Sequence, residues 1–225
     1  MNIISEKLQS IEIHQHKSSD VVIVAFGGIK NNIGIPIFEF FNMMKNKPCT
    51  KIFVRDIKQS WYHKGIDTAK DILETKSLLK ELITSIESEN KKVIFIGNSA
   101  GGYAAIIFGV LLSVDRVLAF APQTFLGKWK RLILREKRWI SATKSLAYHN
   151  NNPKYFFDLA QFFKKVPINN TKVEIFYATD SVMDMKHYSN IRKQPLTFHL
   201  YPKGKHNLIK KLKEEGVLKN ILDNI

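Results

Sequence analysis

The stretch Val93-Ile94-Phe95-Ile96-Gly97-Asn98-Ser99-Ala100-Gly101-Gly102-Tyr103-Ala104-Ala105-Ile106-Ile107 decides the fold. Its first four residues are large and apolar, as in a buried strand. Its last six are small or apolar and read as a helix. Between them Gly97 and Gly101 flank a serine in G-x-S-x-G spacing. A strand that turns sharply into a helix around such a serine lifts the hydroxyl to the end of the sheet. The same turn aims the next backbone N–H, that of Ala100, at the place where an oxyanion forms. A side chain at either flanking position would collide with the neighbouring strand or helix, so both are glycine. The competing reading is a glycine-rich strand–helix turn with an incidental serine. The buried strand before it and the helix after it favour a nucleophile.

Working outward, strand and helix patterns alternate. Ile11 to His16 alternates weakly, as an edge strand does, and Val21 to Phe26 is an apolar run entering Gly27-Gly28. Pro36 to Met44 is apolar enough for a buried helix, Lys51 to Val54 is a short strand, and Gln59 to Ile66 is a loop with an aromatic pair. Thr68 to Glu89 carries apolar residues at helical spacing. Gly101 to Leu112 is the helix of the serine turn, and Arg116 to Ala121 the next strand. From Thr124 to about Asn152 the pattern breaks into basic residues mixed with Phe125, Trp129, Trp139 and Tyr148. An amphipathic helix, Pro153 to Phe163, follows. Together they read as a lid over the site, at about residues 123–163. Val173 to Ala178 is a strand, Thr179 to Met185 a loop, and His187 to Ile191 a short helix. Leu196 to Tyr201 is the last strand, and Asn207 to Lys213 and Val217 to Asp223 are terminal helices separated by Gly216. The expectation is one α/β domain over 1–225. Its sheet is mostly parallel, with helices on both faces and a small lid insertion.

Composition narrows the function. The 225 residues suffice for a full core. No run of about 18 apolar residues is present, so no membrane span is expected. Met1 to Ser10 is charged and lacks the apolar core of a secretory signal. The one cysteine, Cys49, excludes an internal disulfide and a cysteine-rich metal site, and the seven histidines show no ligand spacing. These points suggest the cytoplasm. Lys and Arg number 35 against 20 Asp and Glu, a formal charge of +15. Such a surface attracts an anionic polymer or a phosphate-bearing donor such as coenzyme A, or consists of lysines on solvated faces. No nucleic-acid-binding module accompanies the charge, so nucleic acid is not the expected partner.

A serine nucleophile needs a base, and the base an orienting acid. In a strand–turn–helix enzyme the acid follows a later strand and the histidine the last one. His206, in Lys203-Gly204-Lys205-His206-Asn207, fills the second slot. His199 sits within the strand, and His14, His16, His63 and His149 come too early. Asp180 and Asp184 both fit the acid slot, and both also suit a cap or turn. The second oxyanion donor belongs in Phe26-Gly27-Gly28-Ile29, from Gly28 or Ile29, beside Ala100. Trp61 and Tyr62 either stack on a sugar ring or plug the core edge. Arg55 either pairs with Asp56 beneath the site or contacts an anionic substrate.

These features resemble the α/β-hydrolase superfamily over nearly the whole chain. They are Phe26-Gly27-Gly28, the elbow Gly97 to Gly102, the loop Asp180 to Asp184, and Gly204-Lys205-His206. More narrowly, the chain is similar to bacterial hydrolase-like proteins associated with surface polysaccharides. That similarity is carried by Arg55-Asp56, Trp61-Tyr62-His63-Lys64-Gly65, the elbow entering Gly102-Tyr103, Phe120-Ala121-Pro122-Gln123, and Asp184 three residues before His187. On the resemblance, Asp184 is favoured over Asp180 as the acid. It implies an acyl-enzyme on Ser99, with His206 as base. Resolution by water makes an esterase acting on an acylated small molecule or glycan, the primary expectation. Resolution by a sugar hydroxyl makes an O-acetyltransferase on a surface or capsular polysaccharide, with acetyl-CoA as donor. The third reading is a non-catalytic binding protein that keeps the fold. The elbow is the same for esterase and transferase, and the filled triad positions disfavour the third reading.

Overall fold

The computed structural model describes residues 8–17, 19–29, 38–88, 90–146 and 152–225. Seven strands form one sheet in the order β1-β3-β2-β4-β5-β6-β7. They are β1 (Ile11–His14), β2 (Val21–Phe26), β3 (Thr50–Val54), β4 (Lys92–Asn98), β5 (Arg116–Phe120), β6 (Lys172–Ala178) and β7 (Thr197–Tyr201). Only β1 is antiparallel, paired with β3 along the edge. All other pairings are parallel. Parallel strands are buried on both faces, which is why β2, β4 and β5 are continuous apolar runs rather than alternating ones.

Alternate side chains of these strands feed two cores. Val22, Val24, Phe26 and Phe95 face the helices α2 (Ile72–Thr84) and α3 (Ala100–Leu112). Ile23, Ala25, Ile94, Ile96 and Phe120 face α1 (Phe41–Met44), α8 (Leu208–Glu214) and α9 (Val217–Asp223). The order reverses at β2 and β4, so a crevice opens at the carboxyl ends of these central strands. In open α/β sheets that is where ligands sit.

The region expected as a lid carries α4 (Lys128–Ile133), α5 (Ile140–Leu146), a 3₁₀ turn at Lys154–Phe157 and α6 (Leu159–Lys165). A bridge between Phe125 and Asp158 ties its two ends together. Tyr148 and His149 lie outside the described residues, as do Pro36 and Ile37 of the expected first helix. The long helix expected over 68–89 is shorter, because Asp71 caps it and accepts from the Glu74 N–H at 2.8 Å. The expected helix over 153–163 is broken at Asp158, which caps α6 through the Ala160 N–H. The largest difference is α7 (Val182–Ile191), which begins at Val182 rather than His187. Ser181 caps it by accepting from the Asp184 N–H at 3.3 Å, so Asp184 stands in a helical first turn and not in a loop. Among the described residues, no helix is long and apolar enough to cross a membrane.

Candidate active site

Ser99 stands between β4 and α3 with φ 54° and ψ −115°. L-residues seldom adopt that conformation, and it is held here by the packing of the two glycines. A Cβ on Gly97 would lie 2.1 Å from the Gly101 carbonyl oxygen, and one on Gly101 would lie 2.1 Å from that of Phe26. The elbow therefore packs backbone on backbone. Ser99 itself is buried, and its N–H donates to the Phe120 carbonyl at 2.8 Å.

The Ser99 hydroxyl lies 3.0 Å from His206 Nε2. His206 Nδ1 lies 2.9 and 3.1 Å from the two Asp184 carboxylate oxygens. The structure thus brings Ser99, His206 and Asp184 into one hydrogen-bonded line. Asp180 is elsewhere. Its carboxylate accepts the N–H groups of Gly204 and Lys205, at 3.2 and 2.8 Å. It ties the end of β6 to the loop that carries His206 and makes no contact with the imidazole.

Asp184 has a second partner that the sequence pattern did not point to. Arg138, between α4 and α5, donates Nη1 to Asp184 Oδ1 at 2.9 Å. Its other nitrogens hold Glu136, with Nη2 to Oε2 at 2.6 Å. Glu136 Oε2 is 3.1 Å from Nε2 of buried His187, whose Nδ1 accepts the Thr124 N–H at 3.0 Å. Burial would raise the Asp184 carboxyl. The hydrogen bond and charge of His206, with those of Arg138, outweigh that and hold it below the ordinary range. The same contest leaves Glu136 at about 2: burial raises it, and bonds from His187 and Arg138 bring it down. Burial is the main cause of the lowered His187, which keeps the ring neutral and able to accept from Thr124.

Ala100 is the first residue of α3, so its N–H has no partner within the helix. Gly28 lies against the same turn: a Cβ there would be 3.1 Å from the Asn98 carbonyl and 3.8 Å from Ser99 Cβ. The N–H of Gly27 is engaged by the Val54 carbonyl at 2.7 Å. The backbone of Gly28 hydrogen-bonds Glu39, another residue the sequence reading passed over. Burial pushes the Glu39 carboxyl up to about 7, against the pull of hydrogen bonds from Gly28 and the Asn98 side chain. Ile29, the alternative donor, packs against the core. The signal for Glu39 was its charge, alone in the apolar run Pro36 to Met44. Arg138 had no comparable signal, because nothing in the lid pattern tells which basic residue turns inward.

The expected substrate contacts of the aromatic pair are corrected by burial. Trp61 and Tyr62 expose 1 % and 0 % of their surface, so neither ring offers a face for stacking. The Trp61 Nε1 donates to Gln123 at 2.5 Å, and the Tyr62 hydroxyl donates to the Gly27 carbonyl at 2.9 Å. They plug the core and brace the Gly27 turn. Arg55 and Asp56 make no ion pair with each other among the described residues. The Arg55 guanidinium bonds the Gln9 carbonyl and lies 4.3 Å over the Phe38 ring. Asp56 turns inward to accept the N–H groups of Ser60 and Tyr62. His63 is buried against Tyr103, and burial lowers it to about 3. His199 pairs with Glu174 on the sheet edge. Neither reaches Ser99.

No protein-family profile and no curated protein matches this sequence. Solved structures do. A capsule O-acetyltransferase of Neisseria meningitidis serogroup A superposes with a TM-score of 0.71 over 96 % of this chain and 93 % of that one, at 16 % identity. A mutant form of that protein has been captured in complex with CoA. A lipase-esterase related protein from Clostridium acetobutylicum matches over 96 % of this chain and 98 % of its own, with a TM-score of 0.57 and 15 % identity. A glycosylation-associated protein complex from Streptococcus agalactiae contains a chain matching 93 % of this one, with a TM-score of 0.65 and 14 % identity. The match spans 43 % of that longer chain. At such identities the likeness is one of fold. The chain has the α/β-hydrolase fold with extra helices in the lid position, as the motifs suggested.

Proposed function

We propose that the protein is a serine-dependent O-acyltransferase that moves an acetyl group from acetyl-CoA to a hydroxyl of a surface glycan. Ser99 Oγ attacks the thioester carbonyl while His206 Nε2 takes its proton. The acid Asp184 fixes the imidazole through Nδ1 and stabilises its cation. The oxyanion is met by the Ala100 N–H and by that of Ile29, since the Gly28 backbone is bonded to Glu39. The CoA thiolate leaves with the proton held by His206, and acetyl-Ser99 remains. A sugar hydroxyl then attacks that ester, giving its proton to His206, which returns it to Ser99. Lys203 and Lys205 are exposed beside His206 and supply positive charge for the donor's phosphates. Arg138 and Asp180 are positioning residues, one for the acid and one for the loop of the base.

The observation that carries this reading is the line Asp184–His206–Ser99, at 2.9 and 3.0 Å, in a chain that superposes end to end on a capsule O-acetyltransferase. Esterase activity, the other reading, uses the same first half-reaction, with water as acceptor. It is favoured by the likeness to a lipase-esterase related protein. The test is thiol release from acetyl-CoA by the wild type, Ser99→Ala and His206→Ala, with and without an acceptor oligosaccharide. Release that rises with acceptor and disappears in both variants is the expected result. Release indifferent to every acceptor but lost in the variants would make the protein an esterase. No release, with Ser99 unreactive to a fluorophosphonate, would refute both and leave a binding protein.

A further inference from the structure

The lid exposes an apolar edge that folding does not account for. On α4, Trp129 is 73 % exposed, Leu132 65 % and Ile133 76 %, with Ile140 of α5 beside them at 48 %. Single exposed apolar residues are ordinary, but four large ones gathered on two short neighbouring helices mark a contact surface. Trp129, Leu132 and Ile140 line an open groove of about 1190 Å³ across the lid.

The charge around this edge has one sign. Lys128, Arg135, Lys137, Lys144 and Lys154 line the groove, and all five are exposed. The ion pairs of the neighbourhood, Lys130 with Asp158 and Arg138 with Glu136, engage none of them. Glu136, the one acid lining the groove, is buried and committed to Arg138 and His187. Lys128 Nζ lies 6.0 Å from the Trp129 ring centroid, so cation and indole share one edge.

We propose that this edge of the lid docks on an anionic lipid bilayer, with Trp129, Leu132 and Ile133 entering the interface and the five cations meeting its headgroups. An indole with aliphatic neighbours and flanking Lys and Arg is the composition of an interfacial anchor. The alternatives fit less well. A symmetric contact with a second copy would set the same cations against one another. A polyanionic glycan would use the cations and leave Leu132 and Ile133 in water. The groove is not the acyl site either, because neither Ser99 nor His206 lines it. It lies two contacts away, since Glu136 holds Arg138 and Arg138 holds Asp184. The inference is independent of the function proposed for Ser99.

The test is co-sedimentation of the full chain with vesicles of phosphatidylcholine alone and of phosphatidylcholine with about 30 % phosphatidylglycerol. Wild type is compared with Trp129→Ser/Ile133→Ser and with Lys137→Glu/Lys144→Glu. These side chains are exposed, so melting temperatures should stay within about 2 °C of wild type. The expected result is binding at least about tenfold stronger to the anionic vesicles, weakened about tenfold by either pair of changes and by raising the salt. Any of several outcomes would overturn the proposal. These are no binding to anionic vesicles, binding untouched by Trp129→Ser/Ile133→Ser, or loss of vesicles to saturating coenzyme A. A dimer in sedimentation velocity that Trp129→Ser/Ile133→Ser dissociates would also overturn it, making the edge a protein interface.

Discussion

Asp180 and Asp184 stand four residues apart after the same strand and differ in what they accept. Asp184 accepts from an imidazole and a guanidinium, Asp180 from two backbone N–H groups of the histidine loop. With Asp184 as the acid, Asp184→Asn leaves the fold intact and offers His206 an amide in place of a charge. Turnover should fall by about 10³–10⁴-fold. In Asp180→Asn the side-chain oxygen still accepts from the loop, and the loss should stay within about tenfold. Steady-state acetyl release from the two variants checks this, and the opposite ranking would assign the acid to Asp180. Glu39 makes a second prediction. Its carboxyl is raised from 4.5 to about 7 in the folded protein, chiefly by burial. The native state therefore holds its proton more tightly than the unfolded chain. That contribution to stability is complete below about pH 4.5 and is lost as pH rises through about 7. Glu39→Gln cannot ionise, so it should gain on wild type between pH 5 and pH 8.5 by about 1–3 kcal/mol. Urea unfolding at the two pH values measures the difference, and a pH-independent offset would refute it. The same residue bears on turnover: an ionised carboxylate on the Gly28 backbone opposes an oxyanion, and a protonated one does not.

The elbow shows how one element depends on contacts that no single residue reveals. Gly101→Ala would drive a Cβ to 2.1 Å from the Phe26 carbonyl, a backbone atom of a central strand that cannot yield. We expect a loss of at least about 4 kcal/mol, or no soluble protein. Gly127→Ala, where nothing lies within 4 Å and φ is −62°, should change stability by less than about 0.5 kcal/mol. Thermal melts of the pair separate a packing requirement from a generic dislike of losing glycine. The same distinction explains what was readable in the chain. β2, β4 and β5 were plain because parallel central strands are apolar throughout, and the elbow was plain because its glycines have no substitute. His206 was readable because its slot after the last strand is set by topology. The start of α7 was not, because it turns on one hydrogen bond from Ser181 that makes the whole run Val182–Ile191 helical. Trp61 and Tyr62 could be read as ligands or as a core plug for want of their third dimension; the Gln123 and Gly27 partners that bury them lie 62 and 35 residues away. Long-range polar partners of this kind leave no periodic trace.

At the scale of the molecule, the lid is joined through charge to the half that carries Ser99 and His206. Glu136 and Arg138 come from the middle of the lid, Thr124 from its first residues after β5, and Asp184 and His187 from α7. One chain of bonds runs through all five. Helices α4 and α5 have six and seven residues, too short to hold themselves in place, so this network fixes where they sit. Its weak point is acid. Glu136 is held at about 2 in the folded protein, below its ordinary 4.5, because the stabilising bonds to His187 and Arg138 exceed the cost of burial. The native state thus binds its proton less readily than the unfolded chain does. Its stabilisation is full above about pH 4.5 and is lost as pH falls toward 2, the reverse of Glu39. Glu136→Gln should cost about 1–3 kcal/mol at pH 7 and progressively less, relative to wild type, as pH falls from 5 to 2. Because the lid is the part cut loose, pepsin at pH 3 should cleave wild type first between residues 126 and 158, and leave β4 and α3 protected. Glu136→Gln should show that cleavage pattern already at pH 5, with an acid-tolerant protease as the probe. Equal resistance of the two proteins at pH 5 would mean that apolar packing, and not the Glu136–Arg138–Asp184 chain, holds this segment in place.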